Sequence, residues 1–596
     1  MFHNILIMKE IRLVYIACLI VFSLIVLRLF YWQVISRDSL QAKAEKQYLR
    51  DIELFPKRGE ILASDGSPLV TNQTAYLMYA NPKEISDPNI VAEKIQPILD
   101  LSDIATVSAE LLPEYNPEVY KKEQELKQKE RQVALTEKIT QTNLDWVLLG
   151  RKLTNIQKEQ IEKLNINGLG FSDEIARDYP EGSMSAHLLG FVGLDDFGRD
   201  TGYFGLEGFY NRQLKGRLGV TKEETDAKGN PILLGDYGQI GENPGRTLKL
   251  TIDRSVQKIV EEELLSSIES YQAKAGQVLI MDPNSGAIIA SAAYPAYDPA
   301  NYTKYPNANY VNPVVAETYE PGSTFKVLAM AAGINENVIQ PETICTICDG
   351  QVEISGYKIS TWDNKYHPNS TMTEVIQNSD NTGMVFLSQK LGFEKFHQYL
   401  KNFGFGDLTG VDIQDETYGV IRPKKDWGEI DLATASFGQG IAVTSIQMVK
   451  AVSAIANGGK LPTPHFVSEI IDGDNPLKVS PDSNSFKTII TKETADKVTE
   501  MMAKAVVAGE AHYKIPDGYS LAGKTGTAQI PVAGHYDPSK TIASFVGFGP
   551  LPNPKFVMLV RFTEPKSSPY GSETAAPTFF RISSEIFRLW SIPPNL

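Results

Sequence analysis

Near the start of the 596-residue chain, residues 13–27 (LVYIACLIVFSLIVL) are apolar throughout except for Ser23. The run resumes past Arg28 as Leu29-Phe30-Tyr31-Trp32 and reaches Val34. A helix needs roughly 20 apolar residues to cross a bilayer, where no backbone polar group can be left unpaired. Residues 13–34 meet that length when the Arg28 stem snorkels to the interface, beside Tyr31 and Trp32. No small-x-small cleavage pattern closes the run, so it reads as an uncleaved signal anchor; a cleaved secretion signal is the alternative. Lys9 and Arg12 precede the span and Arg28, Arg37, Lys43 and Lys46 follow it. Charge therefore leaves the orientation open.

The remainder must fold in water. It is long enough for several domains, and 42% hydrophobic with 22% charged residues is ordinary globular composition. A formal net charge of −14 argues against a nucleic-acid partner, which would want a basic face. Of three cysteines, Cys18 lies in the apolar run and Cys345-Thr346-Ile347-Cys348 is half a zinc site with no second pair. A local disulfide and a pair of free or redox-active thiols both remain open. No metal or cofactor is expected.

Periodicity places a strand, an Asp65-Gly66 turn and a second strand between residues 48 and 72. Residues 82–164 read as mostly helical and polar, with a strongly charged helix over 119–139. His187 reads as structural, because no catalytic partner lies near it in sequence. A turn-rich boundary falls at residues 241–246. It is followed by a strand at 247–251, a helix from Arg254, and a hairpin of strands 277–281 and 287–292. Late strands at 542–546 and 556–561 and a helix at 577–589 close the chain. Strands at both ends with helices between them predict an α+β architecture, an antiparallel sheet packed by helices.

The chemistry concentrates at Glu320-Pro321-Gly322-Ser323-Thr324-Phe325-Lys326. A Pro-Gly turn before a run of helix formers predicts a helix start, with Ser323 and Lys326 one turn apart on a shared face. A serine hydroxyl attacks only when a base removes its proton, and a lysine amine serves only when neutral. Burial beside another cation supplies that neutrality. Ser-x-x-Lys alone is weak, since Ser255/Lys258 and Ser355/Lys358 match it too. The first of these lies on a solvent-facing helix and the second in a Gly-containing turn, so both read as decoys. Ser323 differs in its company: Ser379-Asp380-Asn381 and Lys524-Thr525-Gly526-Thr527 follow in that order. Ser379 is expected to relay a proton, and Asn381 to bond Lys326 and a substrate carbonyl, while Asp380 points away as local structure. Lys524, on an edge strand, adds the second positive charge. Thr525 and Thr527 hold a substrate carboxylate, and Gly526 lets substrate backbone approach. The Ser323 and Thr527 N–H groups form an oxyanion hole.

At these residues the chain resembles the class B penicillin-binding proteins, bitopic D,D-transpeptidases that cross-link peptidoglycan. The Arg58-Gly59 hairpin and residues 177–219 resemble the family's pedestal. Phe437-Gly438-Gln439-Gly440, Thr444-Ser445-Ile446-Gln447, Ile455-Ala456-Asn457-Gly458-Gly459 and Ala543-Ser544-Phe545-Val546-Gly547-Phe548 resemble its active-site surroundings. The resemblance implies a penicillin-recognising serine transferase domain over residues 246–596. It implies a pedestal or dimerisation-type domain with a helical accessory lobe over 35–245, a span at 11–34 and a cytoplasmic tail at 1–10. It implies that Ser323 attacks D-Ala-D-Ala stem peptides and is acylated by β-lactams, outside the plasma membrane of a bacterium. The implied partner is a membrane glycosyltransferase of division, elongation or sporulation. Residues 535–540 look closer to the division branch. Rival readings are a β-lactam sensor or a β-lactamase, the hydrolase being marked by rapid turnover of the penicilloyl adduct, and a non-catalytic cell-wall scaffold, marked by failure to bind penicillin.

Overall fold

The computed structural model describes residues 2–100, 117–224, 238–509, 511–532 and 535–594. Helix α1 (Phe2–Phe30) continues through a π-helical turn at Tyr31–Ile35. Residues Ile11–Ile35 are long and apolar enough to cross a membrane, and none of the stretch is buried in protein. The Arg28 guanidinium lies 5.0 Å from the Trp32 ring centre and 5.8 Å from that of Tyr31, as a snorkelled arginine does.

The chain divides into two units. Residues 1–57 and 216–244 form the smaller, which holds α1 and a three-stranded antiparallel sheet of Leu49–Leu54, Gly219–Glu224 and Gly238–Ile240. Residues 58–215 and 245–596 form the larger. It begins with strand β1 (Ile61–Leu62), which turns at Asp65-Gly66 into β2 (Pro68–Ala80). Asp65 sets this turn by accepting hydrogen bonds from the Ser67 N–H and hydroxyl. Strand β2 pairs with β3 (Val147–Leu153) and β4 (Leu169–Asp178). The expected mostly helical stretch 82–164 therefore also contains β3. Its apolar Val147, Leu149 and Leu153 are buried against the helix Pro117–Ile139, while Arg151 bonds Glu174 on β4, a cross-strand fit that local composition does not advertise. Strand β5 (Thr247–Leu250) lies parallel to β1 and antiparallel to Val467–Asp472, so this sheet collects segments far apart in the chain.

A buried clamp fixes the strands. Arg58 Nε donates to Glu207 Oε2 and Arg177 Nε to Glu207 Oε1, both at 2.6 Å, around a fully buried carboxylate. Burial alone would raise that carboxyl, but the Arg177 and Arg58 guanidiniums hold it below the usual range. His187 is buried edge-on against Tyr297, 5.6 Å between ring centres, and desolvation pushes it down to about 4, a neutral packing residue.

The second sheet is five-stranded and antiparallel. Its strands are β6 (Ala275–Met281), β7 (Ile288–Tyr294), β8 (Ala522–Val532), β9 (His535–Gly549) and β10 (Phe556–Thr563), in the order β7-β6-β10-β9-β8. The expected hairpin 277–292 is β6–β7. The expected strand 542–546 is the middle of the longer β9. Helix α2 (Arg254–Tyr271) starts where Asp253 accepts from the N–H groups of Ser255 and Val256. It buries Val256, Val260 and Leu264, four residues apart, on one face of the sheet. The other face carries α3 (Lys326–Asn335), in which every residue from Lys326 to Ile334 is buried. A helix apolar all round belongs in a core, and Lys326 is carried into that core with it. Around α3 stand α4 (Met372–Gln377), α5 (Asn381–Leu391), α6 (Ser445–Ala456) and α7 (Lys492–Ala508). The last helix, α8 (Ala575–Leu589), returns to the α2 side and buries Phe579, Phe580, Ile586 and Phe587.

Candidate active site

Ser323 sits in a single 3-10 turn, Gly322–Phe325, that feeds directly into α3. Gly322 takes φ +54, and its N–H donates to Gly438 O at 3.0 Å. Gly438 itself takes φ +81, and a Cβ there would lie 2.2 Å from Gly322 O. The Thr324 hydroxyl closes the turn onto Pro321 O at 2.7 Å. Ser323 is half-buried, while Lys326 is fully buried one turn on.

The Ser379-Asp380-Asn381 segment joins α4 to α5. Ser379 adopts φ +54, a left-handed conformation costly for a residue with a side chain. Asp380 caps α5, accepting from Thr382 and Gly383 N–H and the Thr382 hydroxyl. The result is convergence on one amine. Lys326 Nζ donates to Ser379 O at 2.5 Å and Asn381 Oδ1 at 2.8 Å, and lies 3.3 Å from Ser379 Oγ. Asn381 Nδ2 donates to Ser360 O at 2.9 Å, which leaves one amide hydrogen for another acceptor. The hydrogen bonds of Lys326 Nζ among the described residues run to this segment and not to Ser323 Oγ. A neutral amine has two hydrogens and one lone pair; with the hydrogens on Ser379 O and Asn381 Oδ1, the lone pair is left to take a proton, and Ser379 Oγ at 3.3 Å is within its reach.

Burial, and then the charge of Lys524, push the Lys326 amine well below the ordinary lysine range. The expectation that Asp380 points away holds for its hydrogen bonds but not for its field: its charge draws Lys326 in the opposite direction. Lys524 is itself pushed down to about 7 by desolvation, with Thr525 O and Thr525 Oγ1 at 3.2 and 3.3 Å.

Strand β8 is the open edge of its sheet, as expected of the Lys-Thr-Gly segment. Its residues alternate: Lys524 and Gly526 turn inward, Thr525 and Thr527 outward, half-buried. Thr527 Oγ1 accepts from Gly571 N at 3.2 Å, which leaves its own hydrogen available. A Cβ on Gly526 would meet Ser544 Oγ at 2.5 Å, Thr324 Cγ2 at 2.8 Å and Pro321 O at 3.1 Å. The close approach that Gly526 permits here is therefore that of the serine turn against the strand.

A cavity of about 610 Å³ has Ser323, Ser379, Asn381, Lys524, Thr525 and Thr527 on its wall. Lys326 lies behind Ser379 and Asn381, and Gly526 behind Thr525 and Thr527. The three motifs thus meet at one cleft. The two other Ser-x-x-Lys matches do not: Lys258 is exposed beside Glu262, and Lys358 is exposed on a short strand. Sequence reasoning missed the cavity walls formed by Trp362 and Tyr570, whose rings meet edge-on at 5.7 Å. Exposed aromatics set in Gly/Ser/Asp-rich loops were the available signal. Cys345 and Cys348 form a disulfide, both buried, which resolves the open alternative. No cluster of metal-ligating side chains occurs among the described residues.

The chain is similar to known proteins over most of its length. Residues 276–584 match a model of the penicillin binding protein transpeptidase domain, and residues 53–250 one of the penicillin-binding protein dimerisation domain. The chain is 34% identical over 579 residues to Stage V sporulation protein D of Bacillus subtilis, covering 96% of this chain and 84% of that protein. It is 26% identical over 592 residues to the probable peptidoglycan D,D-transpeptidase PenA of Neisseria meningitidis, covering 98% and 94%. Among solved structures, penicillin binding protein 2X of Streptococcus thermophilus superposes with a TM-score of 0.71 at 22% identity, covering 91% of this chain and 81% of that one.

Proposed function

The chain belongs to the class B penicillin-binding proteins, and from that premise we propose how its cleft works. The protein is a peptidoglycan D,D-transpeptidase and is acylated by β-lactams. In our reading Ser323 Oγ attacks the carbonyl carbon between the two terminal D-alanines of a stem peptide. Lys326 Nζ, neutral through burial and the nearby Lys524 charge, takes the hydroxyl proton. The Ser323 and Thr527 N–H groups hold the oxyanion; one such donor is typically worth about 3 kcal/mol of barrier. The tetrahedral intermediate collapses as the C–N bond breaks, and Ser379 passes the proton to the departing D-alanine amine. Asn381 and the Thr525 and Thr527 hydroxyls orient the peptide and its terminal carboxylate. The amine of a neighbouring stem peptide then attacks the ester carbonyl and loses its proton to Lys326; as the C–O bond breaks, that proton passes to Ser323 Oγ and the hydroxyl is restored.

The observation that carries this reading is a buried amine one turn beyond Ser323 whose hydrogen bonds end on Ser379 and Asn381. We further propose that α1 anchors the enzyme with its catalytic unit outside the plasma membrane. A membrane glycosyltransferase is the partner, contacted through the span and pedestal. Intact cells exposed to a labelled penicillin that does not cross the membrane should yield the full-length chain modified on the peptide containing Ser323, with no label in Ser323→Ala. Label at another serine would overturn the assignment of the nucleophile, and labelling only after lysis would reverse the orientation.

A further inference from the structure

The residue at the head of the serine turn, Glu320, is not used by the mechanism above. Its carboxylate is half-buried and joins three separate parts of the cleft. Oε1 accepts the Gly440 N–H at 3.0 Å, and the Tyr536 hydroxyl lies 3.2 Å from Oε1 and 3.1 Å from Oε2. Gly440 ends the loop whose Phe437 and Gln439 line the cavity. That loop is already joined to the serine turn by the Gly322–Gly438 bond, and the two-residue pairing of Tyr319 with Val443 continues the seam. Tyr536 belongs to β9, in register with Pro531 of β8, the strand that carries Lys524 and Thr527.

No ion pair balances Glu320 among the described residues, and desolvation raises its carboxyl above the usual range. Burying an unpaired carboxylate is costly. The chemistry at this point accounts for its use. Two donors from different elements converge on one side chain, and a carboxylate is acceptor-only at both oxygens. Gly440 N–H and the Tyr536 hydroxyl both reach Oε1, so an amide oxygen could still accept them, and only removal of the side chain breaks both ties at once.

We propose that Glu320 is a positioning residue for acylation: it ties the 437–440 loop and the β8–β9 hairpin to the turn bearing Ser323. The two oxyanion donors sit on the two bodies so joined, Ser323 N on the turn and Thr527 N on β8. Their separation is therefore set in part by this tie. The inference rests on the transpeptidase reading of the cleft.

The test uses the full-length chain in detergent and a fluorescent penicillin, with the noncovalent dissociation constant measured apart from the first-order acylation constant. Glu320→Ala, which removes both ties, should lower the acylation constant about tenfold, as loss of a charge-assisted hydrogen bond at the site implies. Tyr536→Phe should lower it roughly threefold, for loss of one of the two ties. The double variant should fall no further than Glu320→Ala, and the dissociation constant should stay within about twofold, since these groups are not on the cavity wall. Independent, multiplying losses, or a loss confined to the dissociation constant, overturns the proposal. Hydrogen exchange gives a reading free of catalysis: Glu320→Ala should speed exchange of the Gly440 amide, and unchanged exchange there also overturns it. If the wild-type chain takes up no penicillin, the transpeptidase reading fails, while the exchange result still decides the tie.

Discussion

Lys326 and Lys524 bring two amines to the floor of one cleft, and the fold keeps both from being fully charged there. Lys326 is displaced downward by burial and then by Lys524, and Lys524 by burial alone, to about 7. A base must be neutral, so acylation should fall as pH drops through the titration of this coupled pair. Replacing Lys524→Met removes the neighbouring charge. The Lys326 pKa should rise, and the acid limb of the acylation profile should move to higher pH. The same variant carries a stability signature. A lysine lowered in the fold is protonated on unfolding below its ordinary value of 10.5, so the native chain gains stability as pH rises from about 7 towards that value. Lys524→Met should accordingly raise Tm near neutrality, with the gain shrinking towards pH 10.5. Acylation profiles and thermal melts across that range check both; an acid limb that stays in place would sink the electrostatic account. At this scale the sequence named the groups proposed to react, but their protonation states required distances between segments far apart in the chain.

At the scale of elements, Ser323, the proposed nucleophile, is held by a turn–loop seam rather than by its helix. Gly438 sits at φ +81, with backbone 2.2 Å from where a Cβ would be. Gly438→Ala combines left-handed strain with a contact that neither main chain can avoid, a loss of roughly 1–3 kcal/mol. The strain would relax by pushing out the Ser323 turn, so acylation should fall by an order of magnitude or more. Melting temperature and penicillin uptake measure the two effects, and an alanine variant that acylates like wild type would show the seam to be dispensable. Local signals found the β6–β7 hairpin, because Asp282-Pro283-Asn284-Ser285-Gly286 is turn chemistry. They missed β3, whose two faces are decided by β2 and the helix packed on it. They also missed the left-handed Ser379, held by the two helices it joins.

For the whole molecule, the apolar N-terminal helix and the catalytic unit make separable demands. Exchanging residues 13–34 for an unrelated apolar span of equal length should leave penicillin labelling unchanged and weaken co-purification of the membrane glycosyltransferase proposed as partner. Undiminished co-purification would place that contact elsewhere in the chain. The amino-acid sequence by itself determined the span, the three motifs and the α+β class, because each depends on residue type and near-neighbour spacing. The tertiary structure alone decided which of the competing Ser-x-x-Lys pairs is buried, that Cys345 meets Cys348, and that Thr247–Leu250 joins Ile61–Leu62 in one sheet. Those outcomes turn on desolvation and on through-space contacts, many between segments remote in the chain, and neither quantity is a property of any local stretch.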